Sequence, residues 1–201
     1  MEYKVGNFML NRLLRMPLFV HLAATFLAFL GFHWIKGRLD ASYAASLYPV
    51  DYASGQLAFD AKLIEAYYAH MMDAGTLHIY WQTQFLDFGF IAAVMAVSLL
   101  LGTLAARLGG KINLLGVWSW HLGRAAAILG VCGASFDVLE NLLSFGMLAR
   151  PDAISASLAM IYSAAAAAKF ILLTLAMLAV LIAILTGVAA RLNLAIAKGR
   201  S

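Results

Sequence analysis

The chain has 201 residues, 64% of them hydrophobic and 12% charged, with a mean hydropathy of +0.86. These values exclude an ordinary soluble domain and indicate an integral membrane protein. The formal charge of +4 calls for no nucleic-acid partner, because the basic residues fall where membrane topology places them.

In chain order, Arg12 and Arg15 precede an apolar stretch over 16–32 that carries no small-x-small cleavage pattern, so it reads as a retained helix. Four spans follow from apolar length: 17–34, 76–106, 124–148 and 154–190. Each is long enough to cross a hydrocarbon core of roughly 30 Å. Pro17 suits a first helical turn. The fold class is all-α: an integral membrane four-helix bundle in one domain, 1–201. Between the first two spans, 54–72 reads as an extra amphipathic helix, with Leu57, Leu63, Ile64, Tyr67, Tyr68, Met71 and Met72 apolar among Asp60, Lys62 and Glu65. Gly75 can end it and Thr76 can cap the next helix. Such a helix rests on the bilayer surface or closes over a site as a lid. Trp118, Trp120 and His121 lie between Lys111 and Arg124, so 112–122 reads as an interfacial segment before the third span. The single cysteine, Cys132, allows no disulfide within the chain and reads as a small buried hydrophobe.

Basic residues set the expected orientation. With both termini cytoplasmic, Lys4, Arg12, Arg15, Arg107, Lys111, Arg124, Arg191, Lys198 and Arg200 lie inside, against Lys36, Arg38, Lys62 and Arg150 outside. The expectation is a multi-pass protein of a bacterial inner (cytoplasmic) membrane.

Three spans carry ionisable groups. In the third, Gly130, Gly133, Asp137, Glu140, Asn141 and Ser144 recur at steps near three and four and so share a face. Tyr80, Thr83, Gln84 and Asp87 form a stripe in the second span, and Tyr162, Ala165, Ala166 and Lys169 one in the fourth. Each charged face is also a small or polar face, as inward-facing surfaces are. At 1.5 Å per residue, Asp87 and Lys169 stand about 30–33 Å from Arg107 and Arg191, and the two acids of the third span about 20–24 Å from Arg124. The cluster is therefore expected in the outer half of the membrane. One lysine among three acids leaves about two negative charges to be balanced by a held proton, a cation or water.

The residue pattern removes several chemistries. Neither HExxH nor a Glu-x-x-His helix is present, and no GxSxG elbow, P-loop or paired DxxxD stretch occurs. The oxygen-rich acid set would suit Mg²⁺ or Ca²⁺ better than zinc, yet Lys169 in the same place argues against a metal centre. His21 and His121 could ligate haem across two helices, but two histidines without a further motif read as interfacial. No cofactor is named by the sequence. The expected site therefore consists of Asp87, Asp137, Glu140 and Lys169 in reactive roles, with Asn141, Gln84, Tyr80 and Tyr162 holding a ligand.

The favoured ligand is a lipid or isoprenoid-like molecule with a polar head. Binding alone and turnover by a carboxylic acid and carboxylate pair both fit the residues. Two other readings stand beside it: a small proton- or cation-coupled transporter, and an accessory subunit docked in a homo-oligomer or larger membrane complex. A third alternative is that Lys169 is ion-pair glue between helices. The pattern of Asp87, then Asp137, Glu140 and Asn141 as D-x-x-E-N, then Lys169 resembles an uncharacterised family of bacterial multi-pass membrane proteins. The likeness covers roughly 55–175. It implies the choice of residues and no reaction.

Overall fold

The computed structural model describes residues 2–199, with side chains over 9–199. Arg200 and the side chain of Lys4, both used in the charge reckoning, lie outside the described residues. The chain is all-α: α1 (Glu2–Arg15), α2 (Leu18–Ala45), α3 (Tyr52–Gln56), α4 (Ala61–Asp73), α5 (Leu77–Gly109), α6 (Leu114–Leu148) and α7 (Ala156–Lys198), with no strand among the described residues. α2, α5, α6 and α7 are each long and apolar enough to cross a membrane. They form the four-helix bundle of a multi-pass membrane protein.

Each long helix exceeds its sequence-derived span. α2 runs past residue 34 because Lys36 and Asp40 pair one turn apart at 2.6 Å and Arg38 lies over the Trp34 ring. It ends where Leu47 takes a left-handed φ of 56°, two residues before Pro49. α6 starts at Leu114, so most of the segment 112–122, expected to be interfacial, is helical and continuous with the third span. Asn113 starts it by accepting the Gly116 N–H, while its amide donates to Ala190 O. Cys132, expected inside, is exposed on α6.

The single helix expected over 54–72 is two helices. Phe59 adopts φ 53° and its N–H donates to Ser163 Oγ, and Asp60 then begins α4 by accepting from Lys62 and Leu63. Four residues of α4 are buried at steps of three and four: Ala61, Ile64, Tyr68 and Met71. Gly75, at φ 69°, closes α4 in the left-handed turn that suits glycine. Thr76 precedes α5, but its hydroxyl donates to Ser46 O.

Two compact units divide the chain, each made of segments of the same long helices. The terminal unit comprises Met1–Leu30, Val94–Cys132 and Leu172–Ser201; the loop unit comprises Gly31–Ala93 and Gly133–Ile171. In the terminal unit, α5 and α6 touch backbone to backbone. A Cβ on Gly102 would stand 2.7 Å from Gly123 O, and one on Gly123 would stand 2.5 Å from Ala106 N. With Ala106 and Ala127 one turn on, both helices carry a small-x-x-x-small contact. Ser119, buried between α5 and α7, donates to Ala105 O and Ala183 O. His21 is buried, accepting from Arg107 at Nδ1 and donating through Nε2 to Leu100 O, whereas His121 is exposed. The two histidines do not form a ligand pair.

In the loop unit the core joins α4 to the spans: Ile64, Tyr68 and Met71 pack with Tyr80, Met147 and Tyr162. Phe145 of α6 packs against Trp81, Phe85 and Phe88 of α5. Backbone contact between α5 and α6 makes a sharp expectation. Gly123→Ala should lower stability by about 1–3 kcal/mol through overpacking, and Gly123→Leu by more. Gly31→Ala, with open space around the new methyl, should be neutral or gain up to about 1 kcal/mol. Thermal unfolding of the three variants in one detergent checks the order.

Candidate functional site

The loop unit gathers the charged residues of three spans. All members of the α6 stripe from Gly133 onward are buried, as are Tyr80, Thr83 and Gln84 of α5 and Tyr162, Ala165, Ala166 and Lys169 of α7. Asp87 is partly exposed. Helical spacing accounts for this, because steps of three and four return each polar side chain to one stripe.

Lys169 Nζ is the centre. It donates to Asp137 Oδ1 at 2.9 Å, to Gln56 Oε1 at 3.0 Å and to Glu140 Oε2. An ammonium has three N–H bonds, so this set uses all of them. Lys169 is 5% exposed and Glu140 1%, a burial at which an unpaired charge costs several kcal/mol. One turn beyond Asp137, Asn141 Nδ2 donates to Asp87 Oδ2 at 2.7 Å. That bond orients the amide and leaves Asn141 Oδ1 buried with no donor; Gln84 Oε1 is in the same condition. Buried oxygens of this kind normally have partners. Ser144 Oγ, a donor as well as an acceptor, is also buried without a partner. The two amide oxygens lack donors, and the acids outnumber the one lysine.

Of the eight residues expected from sequence, the structure joins five directly: Asp137, Glu140 and Lys169 in one network, Asn141 and Asp87 in another. Tyr80 and Tyr162 are buried in the adjoining core with Tyr68. Gln84 is buried on the same α5 stripe as Asp87. Among the described residues, no group of three His, Cys, Asp or Glu side chains could hold a metal ion.

Sequence reasoning missed Gln56, the third acceptor of Lys169. It lies in a short helix that carries no apolar periodicity, and nothing in its neighbourhood marks it. It also missed the tyrosine cluster. Tyr43 stacks on Tyr52 at 3.7 Å between ring centres, and Tyr48 on Tyr80 at 5.0 Å. Gly55 is required beneath this cluster, since a Cβ there would meet the Tyr48 ring at 2.6 Å. Burial pushes the Tyr48 and Tyr68 hydroxyls above their ordinary range. They therefore remain O–H groups. The signal available was the density of tyrosines, at 43, 48, 52, 67, 68 and 80.

Compared with known family models, curated proteins and solved structures, the chain matches none.

α4 is anchored beside the site by Glu65, which accepts the Ile154 N–H at 2.9 Å and pairs with Lys62 at 2.8 Å. Lys62 first, then Ile154, holds the Glu65 carboxyl below its usual 4.5. A lowered folded value means that the anchoring is fully present above pH 4.5 and is lost as pH falls through the lowered value. We expect α4 to loosen only below that range. In Glu65→Gln, which keeps an acceptor for Ile154 but not the charge, the acid-induced part of the change should shrink. Amide hydrogen exchange of residues 61–73 between pH 6 and pH 3, corrected for the intrinsic pH dependence of exchange, measures it.

Proposed function

We propose that this protein binds a hydrophobic molecule with a polar head at an intramembrane site built on Lys169, Asp137, Glu140, Asn141 and Asp87. Gln84, Tyr80 and Tyr162 line the same region. One observation carries the reading: a fully employed lysine beside surplus carboxylates and two buried acceptor oxygens without donors. A helix-joining ion pair would need no such excess, because glue is complete once its charges and lone pairs are matched.

The same count defines the head group. Lys169 has no N–H left for a phosphate or carboxylate, and further negative charge would meet Asp87, Asp137 and Glu140 at low dielectric. A hydroxyl or an amine supplies what Asn141 Oδ1 and Gln84 Oε1 lack. The tail would lie against the apolar residues of the spans, as in lipid and isoprenoid alcohols or amines. Placement of this site toward the outer face, in an inner membrane with both termini cytoplasmic, is supported by charge. With that orientation nine basic residues lie inside against four outside.

Two measurements test the proposal. Native mass spectrometry of the protein released from membranes in mild detergent should show one retained lipid-sized mass bearing a hydroxyl or amine. That mass should be absent from folded Glu140→Gln. A stoichiometric protein partner with no small molecule would overturn the reading in favour of an accessory subunit. Second, Lys169→Met strands two buried carboxylates and should cost about 3–5 kcal/mol. Adding Asp137→Asn and Glu140→Gln should recover most of that stability. If the triple variant also keeps the bound mass, the cluster is structural glue.

A further inference from the structure

The terminal unit contains a second feature, independent of the polar cluster. A cavity of about 730 Å³ lies between α2, α5 and α7. Its walls are apolar, including Leu18 and Leu22 of α2, Leu104 of α5 and Ile184 of α7. Arg107 and Arg191 line it as well. Arg107 spends Nη1 on Met16 O at 2.6 Å and on His21 Nδ1 at 3.1 Å. Arg191 donates through Nε to Leu108 O at 2.8 Å, and its Nη2 reaches Arg107 O at 3.5 Å. These bonds tie each guanidinium to backbone carbonyls of the terminal unit. Nε and Nη2 of Arg107 and Nη1 of Arg191 have no protein acceptor among the described residues. No described carboxylate exists in this unit, whose single acid is Glu2.

We infer that this cavity is a binding site for an anionic phospholipid, with the phosphate on Arg107 and Arg191 and an acyl chain along Leu18, Leu22, Leu104 and Ile184. Charge complementarity selects this occupant. Two arginines lining one cavity, each with spare N–H groups, suit the anionic oxygens of a phosphodiester, and basic pockets between membrane helices hold such head groups. A second copy of the chain is the competing occupant, which the test below separates from lipid. A zwitterionic lipid fits less well, because its ammonium group would sit beside uncompensated arginines.

The test uses the full chain in mild detergent, titrated with phosphatidylglycerol and with phosphatidylcholine of identical acyl chains, read by native mass spectrometry. One phosphatidylglycerol should bind about tenfold more tightly than phosphatidylcholine, the preference a charge-assisted contact of about 1.4 kcal/mol gives. Arg191→Gln, on an exposed helix position, should erase that preference. Lys111→Gln, which removes the same charge elsewhere in the unit, should keep it. Leu104→Trp, which fills the apolar part, should weaken both lipids. Equal affinity for the two lipids overturns the inference, as does an equal loss in Lys111→Gln and Arg191→Gln. So does a homodimer that excludes lipid. Should Arg191→Gln fail to fold, the head-group comparison on the unaltered chain still decides.

Discussion

An ammonium group buried among helices must give away every one of its protons. Lys169 does so to three side chains from two elements, Asp137 and Glu140 of α6 and Gln56 of α3. That single requirement places much of the loop unit. It sets the rotation of α7 against α6, since only one face of each can bring these atoms within reach. It also draws α3 onto the spans, although α3 is five residues long and could not hold itself in a helix. Asp51 steadies it from the other end, where the Ser54 backbone and hydroxyl hold its carboxyl below the ordinary value. The tyrosines above Gly55 then pack where α3 has been put.

What the sequence disclosed follows from period and charge. The number of long helices, the buried stripe of α6 from Gly133 to Ser144 and the meeting of Lys169 with Asp137 and Glu140 were all legible, because helical spacing and charge pairing are local rules. Helix ends were less so. α2 passes Lys36, Arg38 and Asp40 without breaking, since a charged pair one turn apart favours a helix even where hydropathy falls away. The start of α6 was read as interfacial from Trp118 and Trp120, yet Ser119 between them is buried between α5 and α7. Aromatic composition at a membrane boundary does not distinguish a helix lying flat from the first turns of one crossing.

Gln56 and the α3–α4 break were not legible for a different reason. Phe59 at positive φ is held by Ser163, 104 residues later in the chain. No local rule reports a contact of that length. Gly102 and Gly123 show the same limit. Glycines at 130 and 133 drew attention by standing below the acids, whereas 102 and 123 are where α5 and α6 meet backbone to backbone. A glycine's partner is a neighbouring helix, and its own surroundings in sequence do not name it.

The order of the charges along the chain has a consequence for how the protein is made. Asp137 and Glu140 precede Lys169 by 32 and 29 residues. At roughly 5–20 residues per second of synthesis, α6 emerges some seconds before its counter-ion exists. An acid at the centre of a lone helix costs about 2.5–3.5 kcal/mol to insert, and α6 carries two. Until α7 is made, that cost is offset only by the apolar residues of α6 itself. α7, the longest helix of the chain, arrives last and carries the cation that permits partition of the pair. The ion pairs that match the two acids of α6 are thus complete only once α7 has been made.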